Sequence, residues 1–296
     1  MDDAGGLAPA QCQRLVTNEM LVVAPEFGLI WCPNAKVATT TWYEIIRRRM
    51  MPRIKTMPRC FPSACPDRTV YKGDYPLVLP RAMPGHVRLC DRRRFVSFTF
   101  VRNPWDRLAS AYQSKIEPGQ QVRDRQALAV QLRIRTLFGL RRNAPIRFGQ
   151  FVRWVVQQNA STMNQHWKPH SERCDTLNTP YEFIGRYETL QEDILHVLGL
   201  LGWSPTLIPA THWSSLGSKG TNESSRLLRL YDSPQLVELV ARKYRDDVRR
   251  SIHCAHTPPC FLPPSRAVCS ACRRACVVSQ IVPFGYSFPG RPVDKA

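Results

Sequence analysis

Two apolar, strand-like stretches of this chain each end in a cation and hydroxyl side chains, where a helix is expected to begin. The first junction spans residues 28–42 and the second spans residues 98–112. A helix N-terminus offers free backbone N–H groups and the positive end of the helix dipole, which favour an anion. Strands separated by helices imply a mostly parallel sheet with ligands at the carboxyl ends of its strands. The sequence therefore predicts an α/β fold, its sheet flanked by helices, with two anion sites that suit a ligand carrying two separate phosphate groups.

In the first junction a lysine precedes a run of threonines. Lys36 comes first, and Thr39, Thr40 and Thr41 follow as the helix begins. A Walker loop instead has glycines and a lysine directly followed by Ser or Thr. Three hydroxyls and several N–H groups can hold a phosphate, with Lys36 beside it as a point charge. A plain helix N-cap is the alternative.

The second junction carries an arginine at the end of a very apolar strand. A buried Arg102 needs an anionic or hydrogen-bonding partner. Asn103 and Pro104 predict a helix start, with Asn as the N-cap and Pro at the first helical position. Ser110 lies about two turns along this helix.

Hydrophobic periodicity predicts the remaining elements. We expect helices near 40–50, 104–116, 148–158, 187–201 and 234–250, and strands near 28–32, 94–101 and 181–185. Residues 51–92 are expected to be irregular, and residues 117–147 basic, exposed and partly helical. Asp106 and Arg107 are expected to be salt-bridging surface residues, and Tyr112 a core residue.

The chain divides into three expected regions. Residues 1–27 are predicted to be a short leader, 28–252 the folded domain, and 253–296 a tail rich in Cys and Pro. No run of about 18 apolar residues is present, so no transmembrane helix is expected. The first residues lack the basic and apolar regions of a signal peptide.

The charge is strongly basic. The chain has 42 Lys and Arg against 23 Asp and Glu, a formal net charge of +19. Such a charge favours a polyanionic partner, namely nucleic acid, an anionic membrane or an acidic glycan. The cations are dispersed and no compact nucleic-acid-binding motif accompanies them, so nucleic acid is not expected.

The chain contains 11 cysteines, which favours an oxidising compartment. Five of them crowd the tail, together with two histidines: Cys254, Cys260, Cys269, Cys272, Cys276, His253 and His256. Their spacing matches no common zinc finger, and we expect disulfides or disorder there, with a zinc site as the alternative.

Together the junctions resemble the sulfotransferases, most closely the Golgi carbohydrate sulfotransferases of the chondroitin, dermatan and HNK-1 type. Residues 36–42 are similar to that family's 5′-phosphosulfate loop, and residues 100–112 to its 3′-phosphate motif. The segment 166–193 and the C-terminal helix with residues 244–247 agree as well. The chain departs from the family pattern in three places. Ala38 stands where the family usually has Gly, and Pro33 is separated from Lys36. The paired-cysteine segment after the His-Trp motif keeps only Cys174.

The resemblance implies a P-loop-like sulfotransferase fold and 3′-phosphoadenylyl sulfate (PAPS) as the donor, without a metal. Lys36 would contact the 5′-phosphosulfate and stabilise charge on the leaving phosphate oxygen. Arg102 and Ser110 would bind the 3′-phosphate. The backbone and hydroxyls of the remaining loop residues would hold the 5′-phosphate: Val37, Ala38, Thr39, Thr40 and Thr41.

The acceptor hydroxyl requires a general base, and two histidines are candidates. His86 lies in a Gly-His-Val segment similar to the catalytic segment of the uronyl and heparan 2-O-sulfotransferases. His166 lies in the shared His-Trp-x-Pro motif, where a structural role beside Trp167 is the alternative. His196 is expected to be structural, while Glu188 would either line the acceptor cleft or stabilise a helix N-terminus.

The resulting prediction is sulfuryl transfer from PAPS to a hydroxyl of a glycosaminoglycan-like, acidic carbohydrate. The alternatives are a nucleotide-binding phosphotransferase and a basic, non-catalytic polyanion-binding protein. The resemblance implies a location in the Golgi lumen or membrane, and no signal or membrane anchor is expected within this chain.

Overall fold

The structure, a computed structural model, describes residues 7–50, 89–91, 93–117, 125–210, 227 and 229–248. Within these residues the centre is a sheet of four strands: β1 (Val22–Ala24), β2 (Leu29–Cys32), β3 (Val96–Val101) and β4 (Phe183–Arg186). Their spatial order follows the chain. β1 runs antiparallel to β2, whereas β2, β3 and β4 are parallel. The expected α/β architecture with a mostly parallel sheet is confirmed.

The described helices are α1 (Pro9–Thr17), α2 (Thr39–Met50), α3 (Pro104–Lys115), α4 (Arg125–Leu137), α5 (Phe148–Val156), α6 (His170–Arg173), α7 (Leu190–Leu200) and α8 (Pro234–Lys243). None of them is both long and apolar enough to span a membrane. The helices and strands predicted between residues 28 and 201 are present, with ends shifted by a few residues. The last helix is expected to reach residue 250, but its uninterrupted part ends at Lys243.

Alternate side chains of the strands point to opposite faces of the sheet and form two cores. One face packs against α2 and α7 through a cluster that includes Trp31, Trp42, Phe98 and Ile194. The other packs against α1 through Leu15, Val23, Ile30 and Cys32. A third cluster joins α3, α4, α5 and α8 beside the sheet. β1, β2 and almost all of β3 are therefore buried on both faces, as expected of a parallel sheet, whereas β4 is mostly half-buried.

Gly185 allows the central and edge strands to pack closely. A Cβ atom at this position would lie 2.4 Å from Cε1 of the Phe100 ring. That separation is far below van der Waals contact, so any larger residue would displace the ring. The glycine in the third sequence motif is thus required by packing.

Residues expected to form a short leader contribute regular structure. They include α1 and β1, and β1 extends the sheet by pairing with β2. The Cys12–Cys90 disulfide ties α1 to the segment before β3, and the Cys32–Cys174 disulfide ties the end of β2 to the residue after α6. The other cysteines, including all of those in the tail, lie outside the described residues. The predicted domain boundaries remain a prediction.

Candidate active site

The two sequence junctions meet at one edge of the sheet. β2 and β3 are parallel neighbours, with Cys32 opposite Thr99, so both strands end on the same side. Beyond these ends, Nη1 of Arg102 donates a hydrogen bond to the backbone oxygen of Lys36 at 3.4 Å. The two cations predicted to bind anions are therefore on adjoining loops.

The loop of residues 33–38 links β2 to α2 through two left-handed residues. Lys36 has φ 71° and Ala38 has φ 59°. Asn34 holds the loop to β3, because its buried Nδ2 donates to Thr99 Oγ1 at 3.2 Å and to the Phe100 oxygen at 3.0 Å. A side chain with a Cβ is disfavoured at positive φ, so these contacts maintain a conformation that glycine would adopt more easily.

The side chains that follow the loop differ in accessibility. Val37 and Thr41 are buried, Thr39 is half-buried and Thr40 is exposed. The Thr39 hydroxyl donates to the backbone oxygen of Asn34. Val37 packs in the core under α2, so it can offer a ligand only its backbone. Of the three hydroxyls, the exposed one of Thr40 is the most accessible to an anion.

Arg102 is a buried cation with unused hydrogen-bond donors. Its residue is 2% exposed, and its guanidinium lies 4.0 Å from the centroid of the Tyr187 ring. Nε and Nη2 have no hydrogen-bond partner within the described part of the chain. Buried donors are nearly always paired, so two unpaired nitrogens on one guanidinium require an explanation, and a bound anion is one that fits a cation. A guanidinium favours a phosphate or sulfate there.

His170, to which sequence reasoning gave no role, holds the backbone of this arginine. Its Nε2 accepts a hydrogen bond from the Arg102 N–H at 3.2 Å, and the residue is 1% exposed. Burial, together with the charges of Arg107 and Arg173, lowers the pKa of His170 well below its usual value. The carboxylate of Asp247 accepts from the backbone N–H groups of His170 at 2.7 Å and Ser171 at 2.8 Å. These contacts explain the acidic residue at the end of the last motif.

The expectation that Asp106 and Arg107 lie on the surface is wrong. They are 4% and 1% exposed. Arg107 donates from Nε to the Ala35 oxygen at 3.1 Å, from Nη1 to the Lys168 oxygen at 2.6 Å and from Nη2 to the Gln165 oxygen at 3.0 Å. It therefore joins α3 to the 33–38 loop and to the 165–168 segment. Burial lowers its pKa to about 10, so the side chain remains charged at neutral pH.

The His-Trp-x-Pro motif is part of the same framework. Trp167 is buried, and its backbone oxygen accepts a hydrogen bond from the hydroxyl of Tyr244. His166 is partly buried, and its Nδ1 lies 2.7 Å from Oδ1 of Asn164. Arg173, just beyond the motif, donates from Nε to the Pro33 oxygen at 3.2 Å. The motif thus supports the 33–38 loop, and a catalytic role for His166 remains a prediction.

The start of α3 has the predicted cap. Oδ1 of Asn103 accepts from the Trp105 N–H at 3.0 Å. Oε1 of Glu188 accepts from the Asn103 N–H at 2.7 Å, which places this carboxylate at the same helix N-terminus. Ser110 is half-buried on α3, and Tyr112 is a core residue, as expected.

Several predicted site residues cannot be placed. His86, the first candidate base, lies outside the described residues, as do the histidines and cysteines considered for zinc in the tail. Within the described ranges, no group of three or more His, Cys, Asp or Glu side chains is arranged to hold a metal ion.

Comparison with known proteins identifies the family of the chain. The model of the sulfotransferase family matches residues 19–250. The chain belongs to the sulfotransferase family. The matched range includes both junctions, the His-Trp-x-Pro motif and Asp247. No solved structure matches the chain significantly.

Individual sulfotransferases are similar over much of the chain. Carbohydrate sulfotransferase 11 of Rattus norvegicus is 28% identical over 210 residues, covering 67% of this chain and 58% of the relative. Carbohydrate sulfotransferase 14 of Danio rerio is 25% identical over 205 residues, covering 66% and 51%. Carbohydrate sulfotransferase 11 of Danio rerio is 26% identical over 252 residues, covering 78% and 68%. The match thus spans between 51% and 68% of the length of these relatives.

Proposed function

We propose that the protein transfers a sulfuryl group from PAPS to a hydroxyl of a carbohydrate acceptor. The observation that carries the proposal is Arg102, a buried guanidinium with two unpaired nitrogens beside the Lys36 loop. The names of the similar carbohydrate sulfotransferases support the same reaction.

The donor has two phosphate-bearing positions, and the site has two cations on adjoining loops. Arg102, with Ser110 further along α3, would bind the 3′-phosphate. Lys36 and the N-terminus of α2 would hold the 5′-phosphosulfate, through backbone N–H groups of residues 37–41 and the hydroxyls of Thr39 and Thr40. The framework of Arg107 and Arg173 would keep the loop in this shape when the donor binds.

Sulfuryl transfer resembles phosphoryl transfer, in which positioned charge supplies most of the catalysis. When PAPS is bound, it supplies the activated sulfuryl group. Lys36 would stabilise the charge that grows on the leaving phosphate oxygen, whereas Arg102 would contact a phosphate that does not react. The two cations should therefore have separable kinetic effects.

We propose His86 as the base that removes the proton from the acceptor hydroxyl, with His166 as the second candidate. The base must be neutral to accept the proton, so activity should fall as acidity protonates it. Donor binding and turnover should be measured for His86→Ala and His166→Ala. Retained binding with lost turnover supports the base assignment, and near-normal turnover of His86→Ala transfers it to His166.

We propose an acidic glycan as the acceptor. Residues 125–147 contain six arginines and no Asp or Glu. Four of these arginines are exposed: Arg133, Arg141, Arg142 and Arg147. Exposed charges are screened over roughly 10 Å at 0.1 M salt, so the preference for a uronate- or sulfate-bearing chain should weaken as salt rises. Turnover on matched neutral and acidic glycans at low and high salt measures this preference.

Calorimetric titration with adenosine 3′,5′-bisphosphate, AMP and ATP with Mg²⁺ tests the donor assignment. The bisphosphate should bind more tightly than AMP, and Arg102→Ala should remove most of the difference. No binding of the bisphosphate to folded protein would exclude a PAPS-dependent enzyme. Preference for ATP with Mg²⁺ would instead favour a phosphotransferase.

We further propose that the protein works in the Golgi lumen. The two disulfides among the described residues suit an oxidising compartment. Immunolocalisation of the protein expressed from its complete transcript tests this location.

A further inference from the structure

A surface turn after α5 carries a sequence that the donor site does not use. Asn159, Ala160 and Ser161 form an Asn-x-Ser triplet, the acceptor sequence for N-linked glycans. Asn159 and Ser161 are both exposed. The amide is therefore accessible in the folded protein.

The geometry of the turn couples the amide to the serine. Oδ1 of Asn159 accepts a hydrogen bond from the Ser161 hydroxyl at 2.9 Å and from the Ser161 N–H at 3.0 Å. The turn is anchored beneath, because Nζ of Lys168 donates to the Ser161 oxygen at 3.4 Å and the Thr162 hydroxyl to the Asn159 oxygen at 3.1 Å. These hydrogen bonds are accepted by backbone oxygens and by Oδ1 of Asn159. The bonds that shape the turn therefore do not involve Nδ2 of Asn159.

We propose that Asn159 is an N-glycosylation site, an inference that rests on the proposed entry of the protein into the secretory pathway. The co-substrate is an oligosaccharide linked to a lipid pyrophosphate. Nδ2 forms a bond to C1 of the terminal N-acetylglucosamine and loses one proton, while the bond from C1 to the pyrophosphate oxygen breaks. The lipid pyrophosphate leaves with the electron pair of that bond, so no oxidant or metal redox step is needed.

The chain offers its own matched control in Asn178. This residue is also exposed and is followed by Thr179, but Pro180 stands where the acceptor sequence needs a hydroxyl. Its Nδ2 also donates to Oδ1 of Asp175 at 2.6 Å. Asn178 should therefore remain unmodified. A second Asn-x-Ser triplet begins at Asn222, outside the described residues, and must be removed to isolate Asn159.

The test is expression of the full chain behind a cleavable secretion signal in mammalian cells, followed by peptide N-glycosidase F. With Asn222→Gln as the background, the enzyme should increase electrophoretic mobility and convert Asn159 to Asp in the peptide mass spectrum. Asn159→Gln and Ser161→Ala should abolish both changes. Ser161→Thr and Asn178→Gln should leave them in place.

Binding of adenosine 3′,5′-bisphosphate to the same preparations separates this inference from the proposed function. Secreted protein that binds the bisphosphate but carries an unmodified Asn159 overturns the glycosylation site. A glycosylated, folded protein that does not bind the bisphosphate supports the site while contradicting the sulfotransferase assignment. A mobility change that persists in Asn159→Gln also contradicts the proposal, because the glycan would then be elsewhere.

Discussion

The backbone N–H of Arg102 donates a hydrogen bond to Nε2 of His170 at 3.2 Å. Because Nε2 is the acceptor, the neutral ring carries its proton on Nδ1. Protonation of Nε2 would remove the acceptor and add a positive charge near Arg107 and Arg173. The strand end that carries Arg102 is thus held by a histidine that must remain uncharged.

We expect the folding stability to decrease with acidity because of His170. Its pKa is depressed in the folded state, so the unfolded chain takes up a proton near pH 6.5 while the folded protein does not. The contribution of the neutral His170 ring to the free energy of unfolding is complete above about pH 6.5. It is lost as the pH falls below that value, by up to about 1.4 kcal/mol per pH unit. Urea unfolding of the wild type and His170→Gln at pH 7.5, 6.5 and 5.5 measures it. A difference between the two proteins that does not change with pH would contradict the prediction.

Arg107→Met is expected to destabilise the fold by about 3–5 kcal/mol, because it removes a buried guanidinium and leaves three backbone oxygens without their donor. The control is Arg242→Ala, whose ion pair with Glu238 lies on the surface and should contribute little. Denaturant unfolding compares the two. Similar unfolding midpoints for both variants would show that the Arg107 contacts do not maintain the loop.

Arg107 also shows where sequence reasoning fails. The local sequence pattern at the start of α3 predicts a charged, exposed turn. The Arg107 side chain is instead buried, and it donates hydrogen bonds to the backbone oxygens of Ala35 and Lys168, which are distant in the sequence. Periodicity does not detect such partners. By contrast, the adjoining positions of Lys36 and Arg102 could be predicted, because the ends of neighbouring parallel strands must lie at one edge.

The sequence pattern does not predict β1, for a related reason. Three residues are too few to show the alternation that identifies a strand, and pairing with β2 supplies the hydrogen bonds that keep it in place. His170 gave no signal because its role depends on one backbone N–H of another segment. Both features are set by long-range contacts and not by local preference.

Lys36→Ala and Arg102→Ala are expected to affect different kinetic constants. Loss of Arg102 should raise the dissociation constant of the donor by roughly 10- to 150-fold, which corresponds to the free energy of one hydrogen bond to a charged group. Loss of Lys36 should lower kcat by about 100- to 1000-fold, because its partner gains charge only in the transition state. Titration and initial rates on the same preparations measure both. Equal losses of affinity with unchanged turnover would refute the separate roles.

The Cys32–Cys174 disulfide should matter for donor binding more than Cys12–Cys90 does. Cys32 directly precedes the 33–38 loop, and Cys174 follows Arg173, which donates to the Pro33 oxygen. Replacing either pair by serines should cost about 2–5 kcal/mol of stability. Only loss of the Cys32–Cys174 pair should weaken binding of adenosine 3′,5′-bisphosphate. Equal affinity of the two double variants would contradict this distinction.

Ala38→Gly should be neutral or stabilising. At φ 59° the strain of an alanine destabilises the folded state by about 1–2 kcal/mol. Glycine relieves this strain, but its greater freedom in the unfolded chain lowers the free energy of unfolding by only about 0.4–1 kcal/mol. Ala38→Val, a β-branched residue at the same φ, should destabilise. The midpoint of thermal unfolding should decrease in the order Ala38→Gly, wild type, Ala38→Val. A glycine variant less stable than the wild type would show that the Cβ of Ala38 makes a contact that outweighs the strain.

Both disulfides join a cysteine before residue 33 to one after residue 89. A protease that cut the backbone anywhere between Lys36 and Cys90 would therefore leave two polypeptides still linked twice. The amino-terminal piece would retain Lys36 and the carboxyl-terminal piece Arg102, with the paired strands β2 and β3 shared between them. The proposed donor site would then persist in a nicked, two-chain molecule, and the covalent link between the pieces would be lost only when both disulfides are reduced.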